Sequence, residues 1–460
     1  MSTRPSVLTW RGGDARQSGA LSQRARAVLA DPQGFGNYMT YRDAYRILGW
    51  DPSEIYRDGR IALDREEWAD LGWLANHIGP SPKALSAMRA AVDERTVGPY
   101  SPDLSHDLRD LFAEKLFGRE RGDDFEVIGT EGAQAGVGYS ALACLDPGDE
   151  VIVTDPGYFH FVPALRLAGA EPVWVNLDAD SGWRLDPERV GQAVTDRTKM
   201  VVVCDPINPF GTVQTRDELV RLLELSAAHG IVLLSDTTHA QHRINREVKH
   251  HHLSSLAAEV PGSMVLATSG LAHGFGMAGA RLGALAGPPD LIRAALQVKI
   301  AAVRLNTSAI AHAGAAAALN DDEWLERGEA VIRRNLDALC AIATPVVRPD
   351  YGFSCVVDVG RLGVTAQELT VALCARKVAI YPGDGLGESG ALDTIRINIS
   401  DPRPQALERL AEVWDEAIKE AASGIYRDGV REFFLGADTE RANRLARLLD
   451  TRPIGTAATT

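Results

Sequence analysis

The sequence predicts an α/β protein: a mostly parallel central sheet in a large domain, plus a smaller α+β domain. Two observations carry that prediction. From about residue 125, short β-rich apolar runs alternate with helical stretches, and strands of this apolar character are buried on both faces, as in parallel sheets. Beyond about residue 341 the alternation gives way to shorter, mixed elements.

Taken in order, strands are predicted at Phe125–Gly129, Glu150–Thr154, Pro172–Asn176, Lys199–Asp205, Ile231–Ser235 and Met264–Thr268. Helical sequence separates them, for example Arg216–His229, and a long helical stretch covers roughly Asn306–Ala341. Further strands are expected at Gly352–Val359, Ala379–Pro382 and Asp393–Ser400, with helices near Ala366–Lys377 and Pro404–Ala422. Residues 1–62 show no clear period and read as an N-terminal extension draped over another surface. Its Tyr38, Tyr41 and Trp50 either line a neighbour's site or simply pack. Residues 63–100 are assigned to the N-terminal part of the small domain, 101–330 to the large domain and 331–424 to the C-terminal small domain. Residues 425–460 form a tail with one helical run, Thr439–Leu449, and a frayed polar end.

With 460 residues, 45% of them hydrophobic, the chain has enough material for two cores. No apolar run approaches bilayer length, and the first residues lack the apolar segment of a secretion signal; a cytoplasmic protein that meets no membrane is expected. A net charge of −14 without a basic stripe argues against nucleic acid as a partner. The five cysteines are scattered without paired spacing, so reduced core thiols are expected rather than disulfides or a zinc cluster.

Several segments carry chemistry. Gly132-Ala133-Gln134 follows a strand and opens a helix, where free N–H groups and the helix dipole suit a phosphate; a plain small-residue turn would look the same. Tyr158, after Asp155-Pro-Gly, offers a flat face for ring stacking or ordinary packing. Asp205-Pro-Ile-Asn208-Pro-Phe-Gly211 makes a rigid loop at a strand end, where doubly wound sheets hold ligands. Asp236 closes an apolar strand and needs a partner there, because an unpaired buried charge is costly. Arg281, in Gly279-Ala-Arg281-Leu-Gly283, has the fork geometry for a dianion. Arg396, in Thr394-Ile-Arg396-Ile, wants an anion: a substrate carboxylate or a buried salt bridge.

In their order and spacing these segments, together with Asn76-His-Ile-Gly-Pro-Ser-Pro-Lys-Ala-Leu85, resemble the fold-type-I pyridoxal-phosphate-dependent aminotransferases of class I/II, of the histidinol-phosphate type. The resemblance implies a homodimer whose cofactor phosphate is held by Ala133, Gln134 and Arg281, with Tyr100 lent to the neighbouring subunit. It implies that Tyr158 stacks on the cofactor ring, Asn208 donates to its phenolic oxygen and Asp236 pairs with its ring nitrogen. It gives Arg396 the substrate carboxylate. The chain departs from the pattern in places: Asp205 replaces an Asn, Gly270 and Ala272 replace serines, and Thr237-Thr238-His239 replaces Glu-x-Tyr, which offers His239 as the substitute contact.

The largest departure is His273, which stands where the family carries its Schiff-base lysine. None of Lys83, Lys115, Lys199, Lys249, Lys299, Lys377 and Lys419 falls in a segment that the family sets beside the cofactor aldehyde. Imidazole forms no stable neutral imine, but its ordinary pKa of about 6.5 suits it to moving protons near neutrality. Three readings stay open. In the first, pyridoxal or pyridoxamine phosphate binds non-covalently and His273 is the acid/base acting on an amino or keto acid, similar to the sugar dehydratases of this fold that carry His in place of Lys. In the second, the chain is a cofactor-free partner subunit. In the third, His239, His242, His273 and Asp236 hold a metal. The retained Tyr158, Asn208, Asp236, Arg281 and Arg396 favour the first, and drift at Gly270, Ala272, Thr237 and His239 favours natural divergence over a laboratory change. His242 is expected near the surface, and the run His250-His251-His252 in a solvated loop.

Overall fold

The computed structural model describes residues 21–30, 38–57, 60–61, 63–437, 439–452 and 454; the start of the extension and the polar GTAATT end lie outside the described residues. The chain divides into two compact units. Ala75–Arg333 with Arg348–Phe353 form the larger; the segments up to Leu74, Arg334–Val347 and from Ser354 onward form the smaller. Residues 75–100, expected with the small domain, therefore fall in the larger unit. Helices Pro82–Ala90 and Glu94–Val97 both pack on helix Ala309–Leu319 there.

The larger unit is built on seven strands: β1 (Glu126–Thr130), β2 (Glu150–Asp155), β3 (Glu171–Asn176), β4 (Thr198–Cys204), β5 (Val232–Asp236), β6 (Met264–Gly270) and β7 (Gly283–Gly287). Their spatial order is β1-β7-β6-β5-β4-β2-β3. Adjacent strands run parallel except at β7, which is antiparallel to both neighbours. The six expected strands are present within a residue or two; β7 was not anticipated. Its sequence, Gly-Ala-Leu-Ala-Gly, lacks the β-branched residues that mark a strand, and its fully buried position between β1 and β6 decides its conformation.

Apolar layers cover both faces of the sheet. One gathers Phe112, Leu116, Phe125, Leu271 and Leu319; the other gathers Val137, Leu165, Leu234, Leu266 and Ile292. The single long helix expected over Asn306–Ala341 is two, Ala309–Leu319 and Asp322–Cys340. Asn320 and Asp321 interrupt it, residues whose side chains compete with the helical backbone, and Asp321 instead takes the Lys83 ammonium at 2.6 Å. Helix Pro289–Val303 before them was also unforeseen; it carries Lys299, completely buried and paired with Asp103 at 2.5 Å.

In the smaller unit, β8 (Ser354–Asp358), β9 (Tyr381–Pro382) and β10 (Thr394–Asn398) form an antiparallel sheet with β10 in the middle. Every residue of helix Ala366–Cys374 is buried, and helix Gln405–Ala422 packs along it. Residues 38–47 of the extension are folded into this unit rather than draped: Tyr38, Tyr41 and Tyr45 are core residues, and Thr40 and Asp43 form a capping box that starts helix Tyr41–Ile47. The C-terminal tail holds two helices, Arg427–Leu435 and Glu440–Asp450, the first of which was not anticipated. Arg427 anchors it by a two-pronged ion pair to the buried Glu368, at 3.0 and 3.1 Å. All five cysteines are free thiols. Among the described residues, no helix is long and apolar enough to cross a membrane.

Candidate functional site

The carboxyl ends of β1, β2, β4, β5 and β6 of the larger unit surround a cavity of about 140 Å³. This is where an open α/β sheet exposes strand-end loops to a ligand. Ala133, Gln134, Tyr158, Asn208, Asp236, His239, His273 and Arg281 all line it, together with Gly132, Cys204, Thr238, Gly270 and Ala272. Tyr100 does not: it is 81% exposed, with the Arg304 guanidinium 5.4 Å from its ring centre. Arg396 belongs to the smaller unit, on β10, with its guanidinium 4.3 Å from the Tyr381 ring centre. No lysine is among the lining residues.

Part of the lining is cationic. Helix Ala133–Cys144 begins there, its N-cap Gly132 at φ 96° without a side-chain cap, so its first N–H groups stay open. The helix lies close to the sheet because Gly136 has no side chain: a Cβ there would come within 2.4 Å of the Thr268 hydroxyl, which donates to the Ala133 carbonyl at 3.0 Å. Arg281 reaches over the same turn, donating to the Glu131 carbonyl at 2.8 Å and the Ala278 carbonyl at 3.3 Å. Among the described residues no carboxylate pairs with it, so its charge is available to an anion.

Another part of the lining carries a buried carboxylate. Asp236 ends β5 buried, and both hydrogen bonds to its carboxylate fall on Oδ1, from the Thr238 amide at 2.9 Å and the Thr238 hydroxyl. No protein donor among the described residues reaches Oδ2, and no cation pairs with the group. Burial pushes its carboxyl pKa up despite the Thr238 bonds. Burial likewise raises the neighbouring Cys204 thiol well above its ordinary value, so it stays protonated. Tyr158, also in the lining, is braced edge-on by His160 and Phe161 at 5.1 and 5.0 Å. Gln134 ties the helix start to this segment by donating to the His160 carbonyl at 2.9 Å.

The imidazoles of His239 and His273 lie 4.8 Å apart, and Phe353 packs on both, at 5.6 and 5.8 Å. His242 is buried, contrary to expectation, because Asn76 claims it. Asn76 Oδ1 accepts from the Ile78 amide at 3.0 Å, which orients its Nδ2 toward the His273 carbonyl at 2.6 Å and His242 Nε2 at 3.1 Å. His242 Nε2 is therefore an acceptor, and burial pushes the ring pKa down to about 4. Among the described residues no three His, Cys, Asp or Glu side chains are arranged to hold a metal ion.

The His250-His251-His252 run is not a solvated loop either. His250 is buried with Nε2 3.1 Å from the Asp205 carbonyl oxygen and 3.2 Å from Oδ2, while Asp205 Oδ1 accepts from the Gln214 amide at 3.0 Å. His252 is half-buried, and desolvation pushes its pKa down to about 3. The pair His250–Asp205 thus braces the loop that carries Asn208. Sequence reasoning missed His250 and Phe353, and assigned Asn76 no task; the carboxylate at Asp205 was the one available hint that a cation or donor would lie beside it.

The family model for aminotransferase class I and II matches residues 70–413. The aspartate/prephenate aminotransferase of Thermus thermophilus is 31% identical over 389 residues, covering 81% of this chain and 98% of that one. The aspartate aminotransferase of Pyrococcus abyssi is 27% identical over 380 residues, 80% of this chain and 95% of its own. Among solved structures, a double mutant of the Thermus thermophilus aspartate aminotransferase superposes with a TM-score of 0.71 at 26% identity, covering 86% of this chain and all of that one.

Proposed function

This chain belongs to the class I and II aminotransferase family, and from that premise we propose that it is an aminotransferase-like enzyme that holds pyridoxal or pyridoxamine phosphate without a covalent link. In this reading it acts on an amino or keto acid, with His273 as acid/base. One observation supports it above the others: the cavity pairs an unneutralised arginine and an open helix N-terminus with a second carboxylate oxygen on the buried Asp236 that no protein donor among the described residues reaches, and no lysine lines it. These unmet groups fit the cofactor. The Ala133 and Gln134 amides and Arg281 would hold its phosphate. Asp236 Oδ2 would take the ring N–H, and a cationic partner there would offset the desolvation that now raises its carboxyl pKa.

When bound, the cofactor supplies an electron sink for charge developing at the substrate's α-carbon. The chain's own residues then orient and move protons. Tyr158 presents its ring face, Asn208 and His239 address the phenolic oxygen, and Asp236 keeps a proton on the ring nitrogen. His273 takes and returns the proton at the α-carbon, its backbone held by Asn76. Arg396 grips the carboxylate. Tyr100, exposed in one chain, is donated to a second copy in a homodimer. Without a lysine to assist release, multi-turnover transamination is slow; half-reactions, eliminations or decarboxylations are favoured.

A His273→Lys variant tests the reading. Incubated with pyridoxal phosphate and reduced with borohydride, it should carry a covalent adduct mapping to position 273, which the parent chain lacks. A folded variant that stays unlabelled there would overturn the placement of the aldehyde and the task given to His273.

A further inference from the structure

We propose that Tyr381 and Tyr38 are positioning residues that fix the guanidinium of Arg396, so that the N-terminal segment and the C-terminal tail together set the grip on a substrate carboxylate; this rests on the reading that Arg396 binds that carboxylate. Tyr381 lies directly opposite Arg396 across the β9–β10 pair. Its ring centre is 4.3 Å from the guanidinium carbon, and both side chains are buried. A desolvated cation on an aromatic face loses the freedom that arginine otherwise has.

The ring is itself held. Tyr38 packs against it at 5.6 Å and the two hydroxyls share a hydrogen bond. Burial raises both phenol pKa values, so both stay neutral and the bond persists across ordinary pH. Tyr38 is fixed in turn by the next residue, whose amide, Met39 N, donates to Asp384 Oδ2 at 2.8 Å. Asp384 is the junction: Gln367 donates to its Oδ1 at 2.9 Å, and Arg441 of helix Glu440–Asp450 donates to its carbonyl at 2.7 Å. Arg441 is 4% exposed, unusual for an arginine whose only task is to decorate a surface. Both terminal segments thus converge on the loop beneath Arg396, within the smaller unit.

The test uses the full chain with saturating pyridoxal phosphate and maleate, a dicarboxylate with no amino group, as the probe. Maleate affinity is measured by calorimetry for Tyr381→Leu, Tyr381→Phe, Tyr38→Phe and Arg396→Gln, alongside cofactor affinity and thermal midpoint. Tyr381→Leu should weaken maleate binding about tenfold or more, the loss expected of a desolvated cation–π contact. Tyr381→Phe, which keeps the ring face, should retain most of it. Tyr38→Phe should weaken binding a few-fold and add nothing in the double Phe variant, because the two hydroxyls serve one bond. Cofactor affinity should not move. Equal maleate affinity in the parent and Tyr381→Leu, with Arg396→Gln impaired, would overturn the positioning role alone. Unchanged affinity in Arg396→Gln would overturn the carboxylate reading and this proposal with it.

Discussion

Replacing His242 by Gln should flatten the acid limb of the protein's stability curve by an amount that follows from the structure. The ring is buried, and its Nε2 already accepts a hydrogen bond from Asn76, so a second proton would set one N–H against another. Its pKa is accordingly near 4 in the folded chain, against about 6.5 unfolded. The sign follows: the unfolded chain takes up the proton first, so stability is complete above pH 6.5 and falls as pH drops toward 4. Integrating the linkage between the two pKa values, this one ring removes about 2 kcal/mol between pH 7.5 and 5, and about 3 kcal/mol once pH 4 is reached. Gln keeps an acceptor for Asn76 and does not titrate. Urea unfolding followed by tryptophan fluorescence at pH 7.5 and 5 should show the parent losing about 2 kcal/mol more than the variant. His252, also depressed, titrates in both proteins and cancels in the difference. Equal losses would refute the claim that His242 is held neutral by its surroundings.

Three further outcomes are expected. Asp236→Asn should weaken binding of either cofactor form at least about thirtyfold, the scale of losing one member of a buried charge pair, as read by absorbance titration. Gly132→Ala should lower cofactor affinity and cost about 1–3 kcal/mol in unfolding measurements, because φ is 96° and the new Cβ would stand 2.9 Å from Arg281 Nη2. His250→Ala leaves the Asp205 carbonyl without the imidazole that lies 3.1 Å from it; a loss of about 1–3 kcal/mol is expected in thermal or urea unfolding.

Which features the sequence revealed follows from the range of the forces behind them. Strands such as Val232–Asp236 are legible because a continuous apolar run has few alternatives to a buried sheet, and their ends point to the cavity that Ala133, Tyr158, Asn208, Asp236, His273 and Arg281 line. β7 was illegible because its glycines and alanines are chosen for closeness to β1 and β6, not for strand propensity. The break at Asn320–Asp321 was masked by strong helix formers on both sides. Burial of His250 depends on a carboxylate 45 positions earlier, and burial of Tyr38 on Tyr381. No local pattern encodes either.

In the proposed reading, this cavity binds vitamin B6 phosphate through contacts alone. The most direct test is equilibrium binding of pyridoxal and pyridoxamine phosphate to the parent chain, followed by borohydride reduction and intact-mass measurement. Saturable binding, a raised thermal midpoint and an unmodified polypeptide mass are expected. Failure to bind either form, or a cofactor adduct on any lysine of the parent chain, would contradict it.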